Sequence, residues 1–133
     1  MIKKIEHIGI AVKDLKKSEE LFEKLLGEKP YKTEEVKSEG VTTSFFKVAY
    51  QKVELLHAAT KDSPISKFIE KRKEGIHHLA FHVDSIKKEV DRLQGLGFEF
   101  ISTIPKKGAD NKMIVFLHPK TTNGVLVELC EEI

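Results

Sequence analysis

Apolar and polar positions alternate or cycle in a readable way along this chain. Residues 5–12 are rich in β-branched and apolar types, which predicts a strand, and Asp14 then stands where a helix cap is wanted. Leu15, Leu21, Phe22, Leu25 and Leu26 follow at helical spacing, and Gly27 closes the run. Strands are expected over 30–38, 42–49 and 52–58, the last two joined by a short turn at Tyr50 and Gln51. Ser63 as cap, Pro64 at the first helical position and Gly75 just past the end predict a short linking helix. Residues 76–83 form another apolar strand, Ser85 caps a helix through Val90, Leu93 and Leu96, and strands are expected near 98–104, 112–117 and 124–131.

This order is βαβββ written twice, and the residues repeat with it. IEHIGIAVKDLKK at Ile5 to Lys17 aligns with IHHLAFHVDSIKK at Ile76 to Lys88, so that His7 falls on His78. KVELLHA at Lys52 to Ala58 is echoed by LVELCEE at Leu126 to Glu132. Two copies of one supersecondary unit explain both echoes. The expected fold is therefore α+β, two paired βαβββ modules whose helices lie on one face of a half-open, curved sheet. Module one covers about 1–60, the linking helix about 63–75 and module two about 76–133 of a single domain.

Composition narrows the class. In 133 residues, 40% are apolar and 33% charged, and 23 Lys+Arg stand against 21 Asp+Glu. A chain of this length can bury roughly two thirds of its unfolded surface, enough for a core without a staple. The charge balance gives no reason to expect a nucleic-acid partner. The single cysteine, Cys130, excludes an internal disulfide and suits a reducing, cytoplasmic setting. The longest uncharged run at the start, Ile8 to Val12, is too short for a signal or a membrane span.

Side chains alternate faces along a strand. If Ile8, Ile10 and Val12 pack on the helix, His7 faces the other way beside the small Gly9 and Ala11. In the matching strand His77, Leu79, Phe81 and Val83 take the helix side, leaving His78 with Ala80. Val53 and Leu55 likewise lie opposite Glu54, and Val125, Val127 and Leu129 opposite Glu128. A carboxylate between apolar strand neighbours is costly to desolvate without a partner. One His and one Glu from each copy, converging, suit a divalent ion such as Zn, Co, Ni or Mn, and an octahedral shell leaves two positions open. A lone strand histidine is more often structural than ligating, and His57, His77, His82 and His118 have no repeat partner to lift them above that. His82 shares the parity of His78 but lies about 13 Å along the strand. Cys130 reads as a small apolar wall residue, and the EKRKE run at 70–74 as the solvated side of a helix.

With this quartet inside a duplicated βαβββ unit, the sequence resembles the vicinal oxygen chelate (glyoxalase/bleomycin-resistance) superfamily, and within it the methylmalonyl-CoA epimerase family. HIGIAVKDL, VELLHAATKDSPISKFIEKRKEGIHHLAFHV and FLHPKTTNGVLVELCE carry the resemblance over nearly the whole chain. It implies that His7, Glu54, His78 and Glu128 hold one divalent metal ion, cobalt among the candidates. It also implies an acyl-CoA substrate, interconversion of the 2R and 2S forms of methylmalonyl-CoA, and a homodimer. Glu128 is then the first acid/base, and Glu54, a water or a lysine are the candidates for the second. Some epimerases carry a glutamate after a GV pair, where GVTTSFF here has Thr42 and Thr43. Lys120 and Lys112, with Lys106 and Lys107, are candidate contacts for the substrate's anionic groups. Glutamate at position 54, where many epimerases have glutamine, keeps glyoxalase I as the alternative; an extradiol dioxygenase and a ligand-sequestering module fit the ligand set less well.

Overall fold

A computed structural model describes residues 1–133. In chain order its elements are β1 (Ile2–Ala11), α1 (Leu15–Leu26), β2 (Lys32–Val36), β3 (Val41–Val48), β4 (Gln51–Ala58), α2 (Pro64–Arg72), β5 (Gly75–Val83), α3 (Ile86–Gly95), β6 (Lys106–Lys107), β7 (Lys112–Leu117) and β8 (Val127–Glu132). The βαβββ order thus occurs twice, with α2 as the link. The chain divides into two compact units, His7–His77 and Met1–Glu6 with His78–Ile133. No helix is long and apolar enough to cross a membrane.

In the first unit the strand order is β2-β3-β4-β1, with β1 parallel to β4 and the other pairs antiparallel. Helix α1 starts where the Asp14 carboxylate accepts from the Lys17 amide at 3.0 Å. It stops at Gly27, whose left-handed backbone (φ +77°) no β-carbon-bearing residue adopts cheaply. Its Leu15, Phe22 and Leu26 pack on Val12, Phe46 and Leu55, with Ile10 and Val53 beside them. Full burial of a side chain such as Phe46 or Leu55 contributes about 1.5–3 kcal/mol.

Helix α2 begins as expected, with Ser63 accepting from the Ile65 amide at 3.1 Å and Pro64 in the first turn. It departs from expectation at its other end and in its placement. Lys73, not Gly75, ends the helix with a positive φ (+63°), its N–H donating to the Ile69 carbonyl at 2.8 Å, and Gly75 opens β5 instead. The helices are not all on one face. Ile65 packs with Ala11, Val41 and Leu56, flanked by Phe68 and Ile69, so α2 covers the side of its sheet opposite α1. The space expected beside Ala11 is therefore filled.

In the second unit the order is β5-β8-β7-β6, with β5 parallel to β8. Ser85 caps α3 by accepting from the Lys88 amide at 3.3 Å, and Ile86, Val90 and Leu93 pack on Val83, Val115, Leu117 and Leu129. The strand expected over 98–104 is not one. Phe98 and Phe100 do reach the core, and the backbone makes two ladder-like bonds, Ile101 N–H to the Phe116 carbonyl and Glu99 carbonyl from His118 N–H. Then the Ser102 hydroxyl accepts from the Ile104 amide at 3.2 Å, turning the chain before Pro105, and pairing resumes only at the two residues of β6. β8 likewise starts at Val127 rather than 124, because the Thr122 hydroxyl donates to the Val125 carbonyl at 2.6 Å and Gly124 (φ +82°) prolongs the turn.

Candidate metal and catalytic residues

Register fixes which side chains meet. In the first unit Gly9 lies beside Glu54 across the β1–β4 ladder, and Phe45 lies opposite Glu54 across β3–β4. Residues paired this way share a face. Glu54 therefore projects with His7, Gly9, Thr43 and Phe45, while its neighbours Val53 and Leu55 pack toward α1. His7 Nδ1 lies 3.0 Å from Glu54 Oε2, and each residue is only 5% exposed. The imidazole thus meets a carboxylate that would otherwise be buried at a cost of several kcal/mol, of the order of breaking a buried ion pair.

The second unit repeats this arrangement. Ala80 lies beside Glu128 across β5–β8, and Phe116 lies opposite it across β7–β8. His78 Nε2 is 3.5 Å from Glu128 Oε1, again with both residues buried. The Phe116 ring stands edge-on to the imidazole at 5.9 Å and 87°. Each histidine sits two residues ahead of the small residue that pairs with the glutamate, and each glutamate has a phenylalanine across the ladder.

These donors can be tested against a metal. Two ligand atoms, each about 2.1 Å from a common ion and 90–110° apart, are themselves about 3.0–3.4 Å apart. The 3.0 Å imidazole–carboxylate separation of the first unit lies within that range and the 3.5 Å separation of the second just above it. Nitrogen with carboxylate oxygen is also the donor chemistry of borderline divalent ions. Each pair, taken by itself, fits as half of a ligand set.

The remaining candidates are scattered. Lys120 lies in a 3-10 turn at Pro119–Thr121 and makes an exposed ion pair with Glu99 at 3.0 Å. His118 caps that turn, its Nδ1 accepting from the Lys120 amide at 3.1 Å. Lys106 and Lys107 are exposed on β6. Lys112 is different: it is buried on the face of Glu128, opposite Glu132, its ammonium 3.4 Å from the Asp110 carbonyl and 3.9–4.0 Å from the Glu132 and Asp110 carboxylates. Cys130 sits on the same face, fully buried with Ala80 and Ile114. Thr43 is buried opposite Leu56, whereas Thr42 lies opposite His57 on the other face. His77 packs edge-on against Phe68 of α2 at 4.9 Å.

Two features escaped sequence reasoning. Glu34 on β2 lies opposite Thr43, so it is a further carboxylate on the Glu54 face, 3.3 Å from Lys32. Its alternation within KTEEV was the available signal. Burial of Lys112 gave none beyond strand parity, because lysine is ordinarily exposed.

Comparison with known proteins assigns the arrangement to a family. Residues 6–116 match the family model of the Glyoxalase/Bleomycin resistance protein/Dioxygenase superfamily. The ethylmalonyl-CoA/methylmalonyl-CoA epimerase of Cereibacter sphaeroides is 40% identical, over 97% of this chain and 98% of its own length. The mitochondrial methylmalonyl-CoA epimerase of Dictyostelium discoideum is 40% identical over 98% of this chain and 80% of its own. A variant of Streptomyces coelicolor methylmalonyl-CoA epimerase, solved in complex with 2-nitronate-propionyl-CoA, superposes with a TM-score of 0.94 at 30% identity, covering 99% of this chain and 96% of that one. Duplicated βαβββ units, each with its buried His/Glu pair, and likeness along nearly the full length lead to one conclusion: the chain belongs to the glyoxalase/bleomycin-resistance superfamily and, within it, to the methylmalonyl-CoA epimerase family.

Proposed function

We propose that the chain epimerises methylmalonyl-CoA at C2, and that His7, Glu54, His78 and Glu128 together hold one divalent ion, Co, Mn, Ni or Zn. The supporting observation is the repetition itself: each unit offers a buried imidazole–carboxylate pair at ligand spacing. Full-length likeness to enzymes named for this reaction supplies the substrate class. A homodimer in the cytoplasm belongs to the same reading.

A bound divalent ion supplies Lewis-acid stabilisation for negative charge on the thioester oxygen. The chain's own residues do the rest. C2 sits between a thioester and a carboxylate, so its proton is acidic enough for a carboxylate to remove with help. Inversion needs one group to take the proton from one face and another to deliver a proton to the opposite face. In one direction Glu128 Oε1 takes the proton while a protonated Glu54 Oε2 delivers one to the opposite face; in the other direction the two exchange roles, and proton exchange with solvent resets them between turnovers. The charge passes from carboxylate to substrate oxygen and back, and no further reactant is consumed.

Solvent deuterium incorporation at C2 tests this directly. The metal-supplemented protein should exchange the proton at an enzymatic rate, and Glu128→Gln should slow exchange about 10²–10⁴-fold. Absence of exchange in the supplemented wild type, or full exchange in Glu128→Gln, would contradict the assignment.

A further inference from the structure

The turn that leads into β8 carries chemistry that the reaction leaves unused. The chain has two asparagines, Asn111 and Asn123, and only Asn123 is followed by glycine. Asparagine is a thermally labile residue, and its successor in the chain decides how labile. The next backbone nitrogen attacks the side-chain carbonyl carbon, and glycine puts no β-carbon in the way. Asn111 is followed instead by Lys112, which has a full side chain and a place in the β7–β8 ladder opposite Glu132. Asn123 and Gly124 are both exposed, and both have positive φ, +55° and +82°, as a tight Asn-Gly turn requires.

The fold answers this exposure by tying up the nucleophile. Gly124 N–H donates to the Pro119 carbonyl at 2.8 Å, so the proton that must leave before attack is held there. Thr122 N–H donates to the same carbonyl at 3.1 Å, and Val125 N–H to the Thr122 carbonyl at 3.0 Å. The Thr122 hydroxyl then donates to the Val125 carbonyl at 2.6 Å, clasping the two residues that flank the Asn123–Gly124 pair. Attack requires the Gly124–Pro119 bond to open, and the Thr122–Val125 clasp resists that opening.

We propose that Asn123 is a deamidation site whose rate is set by opening of this turn, and that its isoaspartate product loosens the start of β8. In the opened turn a base from solvent removes the Gly124 amide proton, and the nitrogen bonds to Asn123 Cγ. The Cγ–Nδ2 bond breaks, and ammonia leaves after taking a proton back from solvent, which closes a cyclic imide. Water opens the ring at either carbonyl to give aspartate or isoaspartate, and nothing is oxidised or reduced. A carboxylate then stands where a neutral amide stood, and the isoaspartyl link adds a carbon to the main chain. That carbon enters just ahead of Leu126, whose carbonyl accepts from the Leu79 amide at 3.0 Å, and of Glu128 on β8.

The test ages the intact protein at mildly alkaline pH, natively and in guanidinium chloride, and follows both asparagines by peptide mass spectrometry. The native turn should slow deamidation of Asn123 about 10–100-fold relative to the unfolded chain, the opening equilibrium of two ordinary hydrogen bonds. Thr122→Val keeps the side chain's shape and removes only a solvent-exposed bond, so the fold is kept. In the native state it should deamidate about fivefold faster than wild type. Asn111 should outlast Asn123 in both states. In the purified isoaspartate form, the Leu79 amide should exchange hydrogen about tenfold faster than in unaged protein. Equal rates in the native and unfolded chain, equal native rates in Thr122→Val and wild type, or earlier loss of Asn111 would overturn the site. Unchanged exchange at Leu79 would overturn its effect on β8.

Discussion

The two units keep the same donor row and differ one step beyond it. Glu54 and Glu128 each face a phenylalanine, Phe45 or Phe116, and each is met by its histidine. Aligning those phenylalanines places Val41 of the first unit on Lys112 of the second, Leu56 on Cys130 and Ala58 on Glu132. In the first unit these rows are apolar and sealed by Ile65 of α2. In the second they carry a buried ammonium with the Asp110 carbonyl and the Asp110 and Glu132 carboxylates around it. Duplication thus held fixed what the donors require and let the surroundings diverge: one unit gives the face an apolar wall, the other a polar one.

Moving residues between the units sharpens that contrast. Val41→Lys would bury an ammonium among Leu56, Ala11 and Ile65, with no carboxylate designed to meet it. A loss of about 3 kcal/mol or more in denaturant-unfolding free energy is expected, whereas a neutral result would mean that α2 does not seal the face.

A second contrast lies in the helices. Glu19 of α1 accepts from the buried Ser44 hydroxyl at 2.7 Å, while Glu89 of α3 accepts two bonds from Arg92, at 2.8 and 3.1 Å, and meets the Met1 ammonium at 2.9 Å. The Arg92 hydrogen bonds hold the Glu89 carboxyl below its usual value, against the opposing effect of burial. A lowered carboxylate pKa stabilises the fold above the ordinary carboxylate range, near 4.3, and that contribution is lost as pH falls through the lowered value. Glu89→Gln should therefore cost about 1 kcal/mol at neutral pH, discounted for the half-exposed Arg92, and nothing in strong acid. An undiminished difference between wild type and variant in acid would refute this origin.

The converse exchange, Lys112→Val, should change stability by less than about 1 kcal/mol, because the lost amine is only loosely paired and the new side chain suits Ile114 and Cys130. Substantial destabilisation would show that the ammonium holds Asp110 and Glu132 in place.

What could be read from sequence follows the same division. The βαβββ order and the helix starts were legible because Asp14, Ser63 and Ser85 announce their helices locally. The faces of His7, Glu54 and Glu128 were legible because strand alternation needs no tertiary knowledge. The side on which α2 packs was not: Ile65, Phe68 and Ile69 declare a buried stripe without saying which sheet face receives it. Phe98 and Phe100 imitate a strand by alternating, and only the Ser102 turn, a matter of hydrogen bonding, cuts it short.

In the proposed arrangement one pair from each unit serves a single ion. Metal content after dialysis, measured per chain, tests it most directly in His7→Ala, His78→Ala and His77→Ala. The account predicts one tightly held ion per chain in wild type and His77→Ala, and none in either His7→Ala or His78→Ala. Two ions per chain, or one retained after loss of either histidine, would contradict it.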